Sequence, residues 1–268
     1  MPRGFYRMRL NCFSDSKFFS SSTPLAPVPL PSPKETHLWY VIPNEVKGES
    51  LLNKYMEILS PCEKEHVFSM RGDEPRKSAL LARTLVRTTI ARYQINSSIQ
   101  PRSLKFRKSI HGKPEVDWQH CDHCEPPPLH FNISHTSSLI ACGVTIDSPE
   151  AYVKALGRGF SGAPFKTFTV RFGSAIGESP HLSRDSNTEA SEISVDMFDD
   201  PSDLTSNWQF MLLELAGSHY AAICTEKDVT SEGNNNGPMK LTVWKTIPFV
   251  EDKCVSGTEA VRVLCGFR

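Results

Sequence analysis

The sequence predicts an α+β protein. Helical patterns occur at 60–93 and again from Glu150, and strand patterns recur at 37–42, 139–146, 165–172 and 208–224. Helical and strand patterns within one chain make it a mixed α and β class. At 268 residues, 39% of them hydrophobic, the chain fills one large domain or two small ones around a real core.

Residues 1–35 form a leader. They hold Arg3, Arg7, Arg9 and Lys17, many serines and a single acid, Asp15, before Glu35. The run Pro24 to Pro33 alternates proline with small or apolar residues and is not regular helix. A basic, serine-rich, acid-poor leader reads as a transit peptide, mitochondrial first, with plastid or cytosol as alternatives. A disordered tail is the plain alternative. His37 to Ile42 (HLWYVI) is aromatic and β-branched and predicts a buried strand. Ser60-Pro61-Cys62-Glu63 starts a helix: Ser60 caps, Pro61 suits the first turn and Glu63 completes a capping box.

Pro75 opens a second helix reaching about Tyr93. Arg76, Arg83 and Arg87 fall on one face of it, and Leu81 and Leu85 on the other. Such a basic face is either solvated or a row of guanidiniums for a phosphate-rich ligand, which arginine grips with paired N–H donors. Ser103 to Lys108 predicts a strand, and His111-Gly112-Lys113-Pro114 a tight loop. Phe131 to Ile133 is a short apolar stretch ending at Ser134-His135. Leu139 to Ile146 (LIACGVTI) is a continuous strand of the buried type. Asp147-Ser148-Pro149 reads as a turn, and Glu150 begins a helical stretch (EAYVKALG) stopped by Gly157 and Gly159. Phe165 to Phe172 alternates as a strand, 173–206 is a polar loop, Trp208 to Leu215 and His219 to Cys224 form a hairpin, and Leu241 to Trp244 is a weaker strand. No repeat is visible, so a solenoid is not expected.

Thirty basic residues balance thirty acidic ones, so the net charge points to no nucleic-acid or membrane partner. No apolar run approaches the ~20 residues of a membrane helix. Eight cysteines are scattered along the chain, without the density of a disulfide scaffold. A reducing compartment follows, and the sequon at Asn132 then carries no glycan. His120-Cys121-Asp122-His123-Cys124 offers zinc-type ligands but lies within one short segment without a second cluster, and reads as a polar loop. Ser134 and His135, being adjacent, are not a hydrolase pair.

Three local signatures occur in order: HGKP at 111–114, FNISH at 131–135 and EAYVKALGRG at 150–159. Together with the basic helix, with His37-Leu38-Trp39 and with Leu59-Ser60-Pro61, they resemble the 4′-phosphopantetheinyl transferase superfamily in its larger, monomeric Sfp-type branch. The resemblance covers about residues 37–172, and more loosely 208–224. It implies two similar α/β halves related by a pseudo-twofold axis, here residues 36–149 and an incomplete second half, 150–268. It implies transfer of the 4′-phosphopantetheine of coenzyme A to a serine of an apo-acyl-carrier protein, as in fatty acid biosynthesis, releasing adenosine 3′,5′-bisphosphate. Coenzyme A would be held by Arg71, Arg76, Lys108, Gly112, Lys113, Pro114, Ser134 and His135, with Arg83 and Arg87 as further candidates. Mg²⁺ would be held by Glu150, and Glu150, Lys154 and His135 would serve catalysis.

The sequence departs from the family after the LIACGVTI strand. The family places a GIDxE segment and a helical stretch before its KEA motif, but here Pro149 is followed directly by Glu150. A splice variant or gene-model error is the natural explanation. The expected consequences are an exposed edge on 139–146, a metal site with one carboxylate, and weak or absent transfer. Asp147 reads as a turn residue rather than a replacement ligand. A non-catalytic binder of coenzyme A or carrier protein is the alternative function.

Overall fold

The organising element is a strand buried over its whole length, β1 (Glu35–Val41). The computed structural model describes residues 25–93, 99–108, 114–118, 129–146, 168–173, 192–197, 208–226 and 240–265. After β1 come α1 (Glu49–Ile58), α2 (Pro61–Ser69), α3 (Asp73–Arg92), β2 (Phe106–Lys108), β3 (Pro114–Val116), β4 (His130–His135) and β5 (Ile140–Thr145). Then follow β6 (Phe168–Gly173), β7 (Glu192–Met197), β8 (Trp208–Leu215), β9 (His219–Glu226), β10 (Lys240–Ile247), β11 (Glu251–Cys254) and β12 (Val261–Cys265). The class is α+β, as expected.

The main sheet has the order β11-β10-β1-β5-β4, with β1 and β10 parallel and its other pairs antiparallel. Successive side chains of β1 point to opposite faces. Trp39 and Val41 join a core with Leu81, Leu85 and Ile90 of α3 and Tyr55 of α1. Leu38 and Tyr40 join a second core with Met211, Leu213 and Leu215 of β8. The strand therefore lies between a helical layer and the sheet β12-β8-β9, which is why its sequence is apolar on both faces.

The α2 start matches the capping box: the Ser60 N–H donates to Glu63 Oε2 at 2.9 Å, and the Glu63 N–H to Ser60 Oγ at 3.4 Å. Gly72, at φ +94°, reverses the chain between α2 and α3, a conformation that a side chain would strain. The far end of α3 is locked onto the sheet. Trp39 Nε1 donates to Tyr93 Oη at 3.0 Å, Trp39 stacks on Trp244 with centroids 5.0 Å apart, and the Val28 N–H bonds to Arg92 O. Leu25, Val28 and Leu30 of the proline-rich run pack on the same core.

Four expectations are corrected. Strand β5 is not a sheet edge: it is paired with β1 on one side and β4 on the other, so a hydrophobic edge does not arise there. The polar stretch 173–206 contains β7, which pairs with β6. The weak strand at 241–244 is an eight-residue strand beside β1. Within 103–108 only Phe106–Lys108 is strand, after a short 3₁₀ turn at Pro101–Ser103. The helix expected at Glu150 lies outside the described residues. The pairing of β8 with β9 is as expected.

A buried polar group sits at the start of β1. Glu35 accepts from the Ser32 N–H at 3.1 Å and the Thr242 hydroxyl at 3.1 Å, with Lys240 Nζ at 3.1 Å and His37 Nε2 at 3.3 Å. Burial alone would raise its pKa, but these partners outweigh burial and hold the carboxyl at about 2, below the ordinary 4.5. Burial pushes the His37 imidazole below its ordinary 6.5. Both folded values lie below the unfolded ones, so the unfolded chain binds more protons and acid destabilises. The His37 contribution is complete above pH 6.5 and is lost first as pH falls. The Glu35 contribution is complete above 4.5 and is lost towards about 2. Glu35→Gln should flatten the lower part of this acid limb in a pH series of urea midpoints.

Candidate functional site

Strand β4 carries the FNISH signature and ends at its two polar residues. Phe131 is buried and meets the Phe106 ring edge-on at 5.8 Å, which anchors the strand, whereas Ser134 and His135 are exposed at its end. His135 pairs with Ile140 as the last rung of the β4–β5 hairpin. The connecting turn is held by the Thr136 hydroxyl, which accepts from the N–H groups of Ser138 at 3.2 Å and Leu139 at 3.0 Å.

Strands β2 and β3 pair on either side of residues 109–113, Gly112 and Lys113 among them, which lie outside the described residues. Lys108 pairs with Pro114, so the backbone of the two candidates is adjacent. Lys108 is exposed. Arg71 is exposed at the α2–α3 junction. Arg76, on the first turn of α3, donates from Nη2 to Met70 O at 3.3 Å and reaches Asp73 at 3.5 Å. Its Nε is buried without a hydrogen-bond partner among the described residues. No side-chain hydrogen bond or ion pair engages Arg71, Arg83, Lys108, Ser134 or His135 among the described residues.

Arg87 is corrected. Its side chain is 1% exposed, with Nη2 2.6 Å from Glu63 and Nη1 donating to the carbonyls of Pro101 at 2.7 Å and Leu104 at 3.0 Å. It holds α2, α3 and the segment before β2 together and offers nothing to a phosphate. Helical spacing placed it with Arg76 and Arg83, but the packing of α2 against α3 turned it inward. Glu150, Lys154 and Asp147 lie outside the described residues, and those that are described present no group of three or more His, Cys, Asp or Glu side chains able to hold a metal. His219, which the sequence pattern marks only as the start of a strand, stands beside the turn that follows His135, with Nε2 2.8 Å from Ser138 Oγ.

Residues 48–145 match the family model of the 4′-phosphopantetheinyl transferase, N-terminal. Over that stretch the chain is similar to the N-terminal part of the phosphopantetheinyl transferases. The matched stretch runs from the residue before α1 to the last residue of β5 and includes the basic helix, the HGKP loop and the FNISH strand. Glu150 and Lys154 lie beyond it. A solved structure similar to the chain is a holo-(acyl-carrier-protein) synthase from Bacillus anthracis str. Ames in complex with CoA (3′,5′-ADP). It is 19% identical, with a TM-score of 0.29, over 41% of this chain and 91% of that one. No curated protein matches the chain.

Proposed function

We propose that the chain acts on coenzyme A as a transferase, moving its 4′-phosphopantetheine to a serine of an apo-acyl-carrier protein and releasing adenosine 3′,5′-bisphosphate. The observation that carries the reading is an exposed Ser134-His135 pair, without side-chain partners among the described residues, inside the matched transferase segment. Attack of a serine hydroxyl on phosphorus builds negative charge on the diphosphate, and imidazole, ammonium and guanidinium donors stabilise that charge. His135, Lys108 and Arg71 supply donors of these kinds, and Arg76 is in part committed to Met70 and Asp73.

Glu150 is the proposed Mg²⁺ ligand and Lys154 the proposed second donor to the phosphate, both from the family resemblance. Among the described carboxylates no metal set is found. A bound Mg²⁺ would supply further charge neutralisation, and a single carboxylate holds it poorly. We therefore expect slow transfer from this form, as a monomer, and propose a mitochondrial location from the basic leader. Retained binding of coenzyme A without transfer is the alternative.

The test is loading of apo-carrier protein from coenzyme A with and without Mg²⁺, with calorimetry alongside. Slow, Mg²⁺-dependent loading supports the transferase. Binding without loading supports the alternative, and an absence of binding rejects both. His135→Ala should weaken coenzyme A binding by about tenfold or more, the effect of losing a hydrogen bond to a charged group.

A further inference from the structure

The turn that follows His135 is gripped from a distant part of the chain. His219 opens β9, and its Nε2 lies 2.8 Å from the hydroxyl of Ser138, 81 positions earlier. Its other ring nitrogen, Nδ1, lies 3.0 Å from the hydroxyl of Ser218. A hydroxyl both donates and accepts, so both contacts persist in either imidazole tautomer. Ser138 belongs to the four-residue turn 136–139, in which the Thr136 N–H donates to Leu139 O at 2.8 Å and the Thr136 hydroxyl accepts from residues 138 and 139. Beneath this contact Leu139 and Ala141 pack with Leu213 and Leu215 in one apolar cluster. The β8–β9 hairpin thus meets the β4–β5 hairpin through an apolar base and a polar tip, and the tip is three residues from His135.

We propose that His219 is a positioning residue: through Ser138 it fixes the turn that sets the direction of the His135 imidazole towards coenzyme A. The inference rests on the transferase reading above. Its two hydrogen bonds can be separated by substitution. Glutamine places its amide near the position of Nε2, so His219→Gln keeps the Ser138 contact. Asparagine reaches only the position of Nδ1, so His219→Asn keeps the Ser218 contact alone.

The experiment is calorimetric titration of the full chain with coenzyme A, with a thermal melt for each variant. His219→Ala, His219→Asn and Ser138→Ala should each weaken binding by about fivefold to tenfold, the size of one hydrogen bond. His219→Gln should bind within about twofold of the parent, and His219→Ala with Ser138→Ala together should be no worse than either alone. A purely structural role would lower the melting temperature of the alanine variants and leave glutamine and asparagine alike in affinity. If His135→Ala weakens binding while Ser138→Ala and His219→Ala do not, the positioning role is wrong and the transferase reading stands. If the parent chain does not bind coenzyme A, both fail.

Discussion

Glu63→Ala should lower the unfolding free energy by about 3–5 kcal/mol, the cost of breaking a buried ion pair by removing one partner. A single oxygen of Glu63 gathers four donors: the Ser60 N–H at 2.9 Å, the Ser60 hydroxyl at 2.9 Å, Arg87 Nε at 2.8 Å and Arg87 Nη2 at 2.6 Å. The first two are the reciprocal half of the α2 capping box. The last two neutralise a guanidinium that lies over the Phe106 ring at 5.2 Å and is closed off from water. After truncation the charge stays buried, held only by the carbonyls of Pro101 and Leu104. Truncation also removes the reciprocal bond to the Ser60 N–H, while the Ser60 hydroxyl can still accept from the residue-63 N–H. Glu63→Gln keeps a capping side chain and should cost less. Combining it with Arg87→Met should recover part of the loss, because a buried pair replaced by apolar volume is often neutral. Urea midpoints at unchanged slope measure each variant. A midpoint for Glu63→Ala within error of the parent would remove Arg87 from the structural role given to it.

Asp252→Ala should have a comparable effect, about 3–5 kcal/mol, by the same mechanism at Arg92, the last residue of α3. Arg92 is 0% exposed, and its guanidinium meets both carboxylate oxygens: Nε to Oδ2 at 3.0 Å, and Nη2 to Oδ1 at 2.7 Å and Oδ2 at 2.8 Å. It also lies 4.6 Å over the Trp39 ring, which stacks on Trp244. The Thr246 hydroxyl completes the carboxylate at 2.6 Å. Asp252 lies on β11, which among the described residues joins the sheet only through β10. The loss should therefore first appear as faster amide exchange in 240–254, before global unfolding. Asp252→Asn keeps a hydrogen-bond acceptor and should cost less. Unchanged exchange in β10 and β11 for Asp252→Ala would show that the two strands are held by the ladder and the tryptophan stack alone.

The legible parts of the fold were those whose cause is local. The α2 cap is written in four consecutive residues, and β1 in an apolar run too short for a helix. The β8–β9 hairpin is written in two strand patterns either side of a short turn. The unread parts depend on distant partners. KLTVWKTI at 240–247 carries a strand alternation, but nothing nearby says that it lies parallel to β1, because a parallel pair has no turn to announce it. For the same reason β5 looked short of a neighbour: the flanking sequence could not show that β1 takes that side. Arg87 illustrates the limit of helical spacing, which gives the face of a helix but not whether another helix covers it. At the candidate site, the FNISH and HGKP motifs were visible through the family resemblance, whereas His219 has no motif of its own. Its contact with Ser138 exists only once two hairpins have been brought together.

The placement of β10 beside β1 has a consequence for synthesis. The Thr242 hydroxyl bonds to Glu35 across 207 positions of the chain. A ribosome adding about 5–20 residues per second needs roughly 5–20 s to pass from the end of β5 to the end of β10. Throughout that interval the nascent chain holds β1 with one flank unfilled, a template to which any passing extended segment can add. Chaperone demand should therefore be greatest while residues 146–247 are being made, and should ease once β10 has emerged.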